Sequence, residues 1–127
     1  MQSVKTANAP APIGPYSQGI KLENLVFCSG QTPLDPKTMQ ICSLDIVEQT
    51  KQVMENIGAI LKEAGADFSS IVKTNIYLKN FADFERVNKV YESYLGDIKP
   101  ARTTVEVSRL PKEALVEIEC IAVAKSK

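Results

Sequence analysis

The chain has 127 residues, of which 44% are hydrophobic and 24% charged, and its formal net charge is zero. This length and composition predict a single globular domain over residues 1–127 with enough apolar residues to bury a core. The balanced charge and the absence of a basic stripe argue against electrostatic binding to nucleic acid, and no apolar run is long enough to span a membrane.

The sequence contains no histidine, which excludes Ser–His and Cys–His nucleophile pairs, histidine metal sites and histidine acid–base catalysis. Its three cysteines, Cys28, Cys42 and Cys120, are odd in number and widely spaced. This pattern argues against a disulfide framework and for a reducing compartment. Because no secretory signal is visible at the N-terminus either, we expect a cytoplasmic protein.

The N-terminal 15 residues are rich in proline and alanine, which predicts an extended or turning backbone. Tyr16 follows directly, and it either lines a cleft or anchors a surface arm. Residues 17–22 and 25–31 predict a β-hairpin. Alternation along its second strand predicts that Val26, Cys28 and Gly30 share one face. A glycine at a strand end permits close approach of a ligand, or marks a plain bulge.

Two amphipathic helices are predicted further along the chain. Residues 46–64 carry apolar side chains at three- and four-residue steps, with Ser43 or Asp45 as the N-cap and Gly65 as the end. A strand over residues 71–78 precedes the second helix, which runs from residue 80 to Gly96. Asn88 is the polar residue on its apolar stripe, and it either forms a buried structural hydrogen bond or reaches a cleft.

The last two predicted strands carry the two residues best suited to bind a ligand or take part in catalysis. Arg102 opens the strand at residues 103–107, and Glu117 lies within the apolar strand at residues 115–124, where an unpaired charge is costly. On neighbouring strands, the two would form either an anion site with a base beside it or a partly exposed salt bridge.

The order of these elements predicts an α+β domain with both helices on one face of the sheet. One face of the final strand is entirely apolar. The other face mixes acidic and apolar residues, which favours contact with another subunit over contact with bulk water.

Six short motifs stand in one order along the chain: IGPYSQG at 13–19, SGQ at 29–31, VN at 87–88, PAR at 100–102, RLPK at 109–112 and VEIE at 116–119. Together they resemble the Rid family, the YjgF-type reactive-intermediate deaminases once described as translation inhibitors or ribonucleases. The resemblance covers residues 5–124. It implies a chorismate-mutase-like fold with about six strands and a homotrimer whose sheets form a central barrel with clefts between subunits.

The activity implied by this resemblance is hydrolysis of 2-imino acids, such as 2-iminopropanoate and 2-iminobutanoate, and of their enamine tautomers. The products are 2-oxo acids and ammonia, and no metal or cofactor takes part. Such a protein would remove reactive intermediates released by pyridoxal-phosphate enzymes.

The resemblance also implies roles for individual residues. Arg102 stands at the carboxylate-binding position and Glu117 at the water-positioning position. Thr104 stands in the substrate site where many family members have cysteine, so a thiol role is absent there. The other positions implied to line the cleft are Tyr16, Ser29, Gly30 and Asn88.

Two other functions fit the same residues. One is a regulatory module that binds a small carboxylate without catalysis, since Arg102 would bind the carboxylate in the same way. The other is a ribonuclease or translation inhibitor, which is disfavoured by the neutral charge and by the absence of histidine and of an aromatic stacking platform.

Overall fold

The secondary structure was obtained from a computed structural model that describes residues 1–125, so the last two residues of the predicted domain lie outside it. Short 3₁₀ helices occupy Phe68–Ser70, Phe81–Asp83 and Pro111–Glu113. The strands and α-helices are β1 (Gln2–Val4), β2 (Gly19–Leu22), β3 (Leu25–Gln31), α1 (Ile46–Glu63), β4 (Ile71–Leu78), α2 (Phe84–Leu95), β5 (Ala101–Glu106) and β6 (Val116–Val123).

The strands of residues 1–125 form one mixed sheet of six, in the order β1-β2-β3-β6-β4-β5. Every neighbouring pair is antiparallel except β4 and β5, which are parallel and are joined through helix α2. A parallel pair needs such a crossover, whereas the β2–β3 pair needs only a tight turn. The predicted α+β fold, with a mixed sheet and two helices, is confirmed.

Helix α1 confirms the predicted stripe, because its three- and four-residue repeat buries one face against the sheet. The N-cap is Asp45, whose Oδ2 accepts a 3.0 Å hydrogen bond from the N–H of Glu48. The chain leaves the helix through Gly65 with a φ of +83°, a conformation that glycine adopts without strain.

The two faces of the sheet differ in burial, as the alternating pattern of the final strand predicts. Under the helices, Val116 and Ile118 are fully buried. The opposite, open face keeps apolar side chains exposed, with Phe27 at 38% and Val105 at 40%. Such a face is suited to contact with another chain, and the trimeric barrel itself stays a prediction. Within residues 1–125, no helix combines the length and the apolar character needed to cross a membrane.

The prediction that Gly30 shares a face of strand β3 with Val26 and Cys28 is wrong. Strand β3 pairs Cys28 with Cys120 but then pairs Gln31 with Ile118, so one extra residue is accommodated on β3. A bulge of this kind moves every following side chain to the other face. Gln31 is therefore buried under the helices, and Gly30 lies on the open face.

Candidate active site

The guanidinium of Arg102 is held by side chains of helix α2. Its Cζ lies 5.5 Å from the centroid of the Phe84 ring and 5.3 Å from that of Tyr91, within the range of cation–π attraction. Its Nη1 donates a 2.8 Å hydrogen bond to Oδ1 of Asn88. The Tyr91 hydroxyl is itself hydrogen-bonded to Oγ1 of Thr74 at 2.7 Å. These contacts orient the guanidinium and leave most of its N–H donors free.

Arg102 has no carboxylate partner within residues 1–125, since the four salt bridges of this region involve other cations. The expectation of a salt bridge between Arg102 and Glu117 is therefore wrong for the single chain. Thr104, two residues further along the same face of β5, has a buried hydroxyl with no hydrogen-bond partner in the described region. A half-buried, oriented guanidinium with free donors is suited to bind an external carboxylate or phosphate.

Glu117 borders a separate cavity of about 370 Å³ on the open face. The end of β3 forms the floor of this cavity, and the proline-rich N-terminal segment forms its outer wall. A Cβ atom added to Gly30 would lie 2.9 Å from Cδ of Glu117 and would collide with the carboxylate oxygen. The bulge and the glycine therefore give the carboxylate the space that it occupies against the β3 backbone.

Tyr16 and Ser29 line the same cavity but differ in what they can donate. The Ser29 hydroxyl already donates a 2.6 Å hydrogen bond to the carbonyl of Ser17. The Tyr16 hydroxyl accepts a 3.3 Å hydrogen bond from the N–H of Ile13, so its own proton remains available. Because a hydroxyl has a single proton, Tyr16 is the better donor to a ligand in this cavity.

Burial raises the pKa of the Glu117 carboxyl, and the nearby charge of Glu119 raises this pKa further. The Glu119 carboxylate lies on the open face, where it accepts hydrogen bonds of 3.2 and 3.3 Å from the hydroxyl of Tyr77. It does not border the cavity of Glu117. A carboxyl group with a raised pKa beside a cavity is suited to exchange protons with a bound molecule.

We expect Glu117→Gln to stabilise the fold at neutral pH, because the folded chain holds the Glu117 proton more tightly than the unfolded chain does. The stability that this group contributes is present below the unfolded pKa, near 4.5, and is lost as pH rises through the higher folded value. Removing the charge should raise the free energy of unfolding by at most about 1 kcal/mol, since partial exposure screens it.

Thermal unfolding of wild type and Glu117→Gln across a pH series provides the measurement. The difference in stability should vanish at acid pH, where wild-type Glu117 is protonated. A variant less stable than wild type at neutral pH would contradict this expectation, because the carboxylate would then be making a stabilising contact.

One chain does not bring Arg102 and Glu117 together. Strand β4 lies between their two strands, which corrects the expectation that the strands are neighbours. Arg102 pairs with Thr74 of β4, whereas Glu117 pairs with Tyr77, an odd number of residues further along. Since alternate residues of a strand point to opposite faces, the arginine lies on the helix side of the sheet and the glutamate on the open side.

Three residues of this region carry contacts that sequence reasoning missed. Phe84 and Tyr91 were predicted only as apolar positions of a helix, yet both contact the guanidinium of Arg102. Gln18 belongs to one of the quoted motifs and is almost completely buried. The sequence could have indicated this role, because the Gln18 amide follows a segment whose prolines lack N–H donors and whose carbonyls therefore need side-chain partners.

The fold and these two sites define a small α+β protein with an arginine on one sheet face that has no carboxylate partner within residues 1–125, and a carboxyl of raised pKa on the other face. The sequence profile of the family described as Endoribonuclease L-PSP matches residues 6–124. The chain belongs to this family, which is also called the YjgF or Rid family.

Relatives of known sequence carry several names. A RutC family protein of Pyrococcus abyssi is 57% identical over 117 residues, which cover 92% of each chain. Reactive Intermediate Deaminase A of Arabidopsis thaliana, a chloroplast protein, is 52% identical over 94% of this chain and 64% of its own length.

Solved structures of the family match throughout the chain. The YjgF gene product of Escherichia coli is 43% identical, has a TM-score of 0.94 and covers 98% of this chain and 100% of its own. Escherichia coli TdcF, whose structure contains bound serine, is 38% identical with a TM-score of 0.94 and the same coverage.

Proposed function

We propose that this protein hydrolyses 2-imino acids with small side chains, such as 2-iminopropanoate and 2-iminobutanoate, to 2-oxo acids and ammonia. The observation that carries the proposal is the oriented Arg102 guanidinium without a carboxylate partner in residues 1–125. Two relatives lend support: one is named a reactive intermediate deaminase, and TdcF binds serine. Serine, like a 2-imino acid, carries its carboxylate and its nitrogen on the same carbon, C2.

The reaction needs three functions from the protein, because an imine is already an activated electrophile. Arg102 binds the substrate carboxylate through two N–H donors and so fixes the position of C2. Glu117 holds a water molecule and accepts its proton as the oxygen adds to C2. The π electrons of the C2–N double bond move to the nitrogen, which takes up a proton from solvent. The Tyr16 hydroxyl donates a hydrogen bond that orients the water or the substrate nitrogen.

Collapse of the tetrahedral intermediate completes the reaction. Glu117 returns its proton to the nitrogen, the C2–N bond breaks with its electron pair on the departing ammonia, and the C2 hydroxyl releases its proton to solvent as it becomes the carbonyl of the oxo acid. One water is consumed and one ammonia is released. The raised pKa of Glu117 favours both the uptake and the return of the proton.

Because Arg102 and Glu117 lie on opposite faces, we propose that each active site combines Arg102 of one chain with Glu117 of the next. A head-to-tail contact of this kind closes into a ring, and a homotrimer with three such sites fits the half-apolar open face. Asn88 and Thr104 would belong to the arginine side, and Tyr16, Ser29 and Gly30 to the glutamate side.

A trapping assay tests the proposed reaction. A threonine or serine dehydratase generates the imine, and semicarbazide competes with the protein for it. We expect wild-type protein to suppress semicarbazone formation and to raise the yield of free 2-oxo acid by the same amount, because each imine molecule is either trapped or hydrolysed. Heat-denatured protein at the same concentration is the control.

Failure to suppress the semicarbazone would refute the hydrolase. In that case, titration calorimetry with 2-oxobutanoate would distinguish a carboxylate-binding module from a protein with some other function. Binding of the oxo acid without turnover of the imine supports the binding module.

A further inference from the structure

The buried side chain of Gln18 forms an unusually dense set of hydrogen bonds just before strand β2. It is 3% exposed. Its Oε1 accepts from the N–H of Thr6 at 2.8 Å, and its Nε2 donates to the Thr6 carbonyl at 3.0 Å. The same Nε2 lies 3.2 Å from the carbonyl of Ala9 and 2.8 Å from that of Pro10. One amide therefore contacts three residues of the N-terminal segment.

These hydrogen bonds are the polar attachment of the N-terminal segment. In the described structure, every hydrogen bond from residues 6–16 to the rest of the fold goes to Gln18. The remaining bonds of the segment are internal, such as that from the N–H of Ile13 to Tyr16 Oη. The prolines supply no N–H donors for a strand ladder, so the buried carbonyls of Ala9 and Pro10 need a side-chain donor.

The attached segment forms the outer wall of the cavity beside Glu117. Pro10, Ala11 and Ile13 line this cavity from one side, and the end of β3 lines it from the other. Ala11 and Ile13 are themselves exposed to solvent, so core packing does little to hold this part of the wall. Its position therefore depends on the anchor at Thr6, Ala9 and Pro10.

We propose that Gln18 is a positioning residue, which holds residues 6–16 over the Glu117 carboxylate and so limits the access of water to it and sets the position of Tyr16. The catalytic meaning of this role rests on the proposed function, whereas the structural role does not. Gln18 itself borders the cavity, but its side-chain amide bonds to Thr6, Ala9 and Pro10, so we infer that it acts through the wall.

The titration of Glu117 reports on the wall. Burial is the main cause of its raised pKa, and the wall lines the same cavity as the carboxylate. Within the chain, the other titratable groups nearby are Glu119 on its own strand, Tyr77 on β4 and Tyr16 on the wall. In the proposed assembly, Arg102 of the next chain would lower the pKa of Glu117 in the wild type and in the variants alike. If the wall opens, water solvates the carboxylate and its pKa falls towards the ordinary value.

The test replaces Gln18 by leucine, which is similar in size but forms no hydrogen bonds, so that all four are lost. The matched control is Gln49→Leu. Gln49 is 1% exposed, donates to the carbonyl of Ser43 and accepts from the N–H of Leu115, each at 2.9 Å. It does not line the cavity, so it matches the loss of buried hydrogen bonds without disturbing the wall.

The readout is the titration of the Glu117 side-chain carboxyl by ¹³C NMR, assigned with Glu117→Gln. In Gln18→Leu we expect the midpoint to shift to lower pH, while Gln49→Leu keeps the wild-type midpoint. The acid limb of kcat/KM against pH should shift in the same direction. An unchanged midpoint in folded Gln18→Leu overturns the proposal, and so does an equal shift in Gln49→Leu.

A second variant covers the case in which Gln18→Leu does not fold. Ile13→Ser trims an exposed part of the wall and leaves the core intact, and we expect a smaller shift of the midpoint in the same direction. An unchanged midpoint in this variant counts against the proposal that the wall limits the access of water to Glu117. If the wild type hydrolyses no imine but the titrations shift as expected, the proposed function fails and the positioning role stands.

Discussion

Replacing Arg102 by lysine lowers kcat/KM for 2-iminopropanoate by about a hundredfold, and replacing it by alanine lowers it further. Lysine keeps the charge but loses the planar pair of N–H donors that a carboxylate accepts in two-point fashion. It also loses the flat contact with the rings of Phe84 and Tyr91, which orient the guanidinium in the wild type. The effect should appear in KM and in kcat, because an unclamped substrate is also badly placed for attack by water.

The measurement is the semicarbazide competition assay at several imine fluxes, together with calorimetric binding of 2-oxobutanoate to each variant. Arg86→Ala is the control, since Arg86 is an exposed arginine on helix α2 whose guanidinium pairs with the largely buried carboxylate of Asp83 at 2.8 Å. Loss of that pair lowers the stability of the fold, whereas turnover by the folded variant should stay at the wild-type level. Wild-type turnover by Arg102→Ala would rule out this arginine as the carboxylate clamp.

Mixing two inactive variants restores activity if each site draws on two chains. Arg102→Ala and Glu117→Gln are each expected to be inactive alone. After joint unfolding and refolding, random assembly makes about one interface in four intact, with Arg102 from one variant and Glu117 from the other. The mixture should therefore recover about a quarter of the wild-type activity, because both intact groups then face the same substrate.

The outcome distinguishes the possible arrangements of the site. A site formed within one chain predicts an inactive mixture at every ratio of the two variants. The control is a mixture of wild type with the double variant that carries both Arg102→Ala and Glu117→Gln. In this mixture, every interface between a wild-type chain and a double-variant chain lacks either Arg102 or Glu117. Size-exclusion chromatography with light scattering checks separately that the mixed species has the mass of a trimer.

Local patterns in the sequence determined the secondary structure and the class of fold. The three- and four-residue repeat placed helix α1 between residues 46 and 64, and the structure ends it one residue earlier, at Glu63. Alternation placed strand β6 and its buried face correctly. These features depend on near neighbours in the chain, so periodicity and capping residues are sufficient to predict them. The proposed roles of Arg102 and Glu117, by contrast, came from the ordered family motifs.

Only the tertiary structure decided how the site residues are placed. The insertion of β6 between β3 and β4 is a non-local pairing, and it separates Arg102 from Glu117, which the sequence had suggested on neighbouring strands. The bulge before Gln31 turns Gly30 towards Glu117, because one extra residue reverses a strand's faces. Gln18 reaches partners 8 to 12 residues away. Local propensity carries no information about such contacts, since their energy arises only when distant segments pack together.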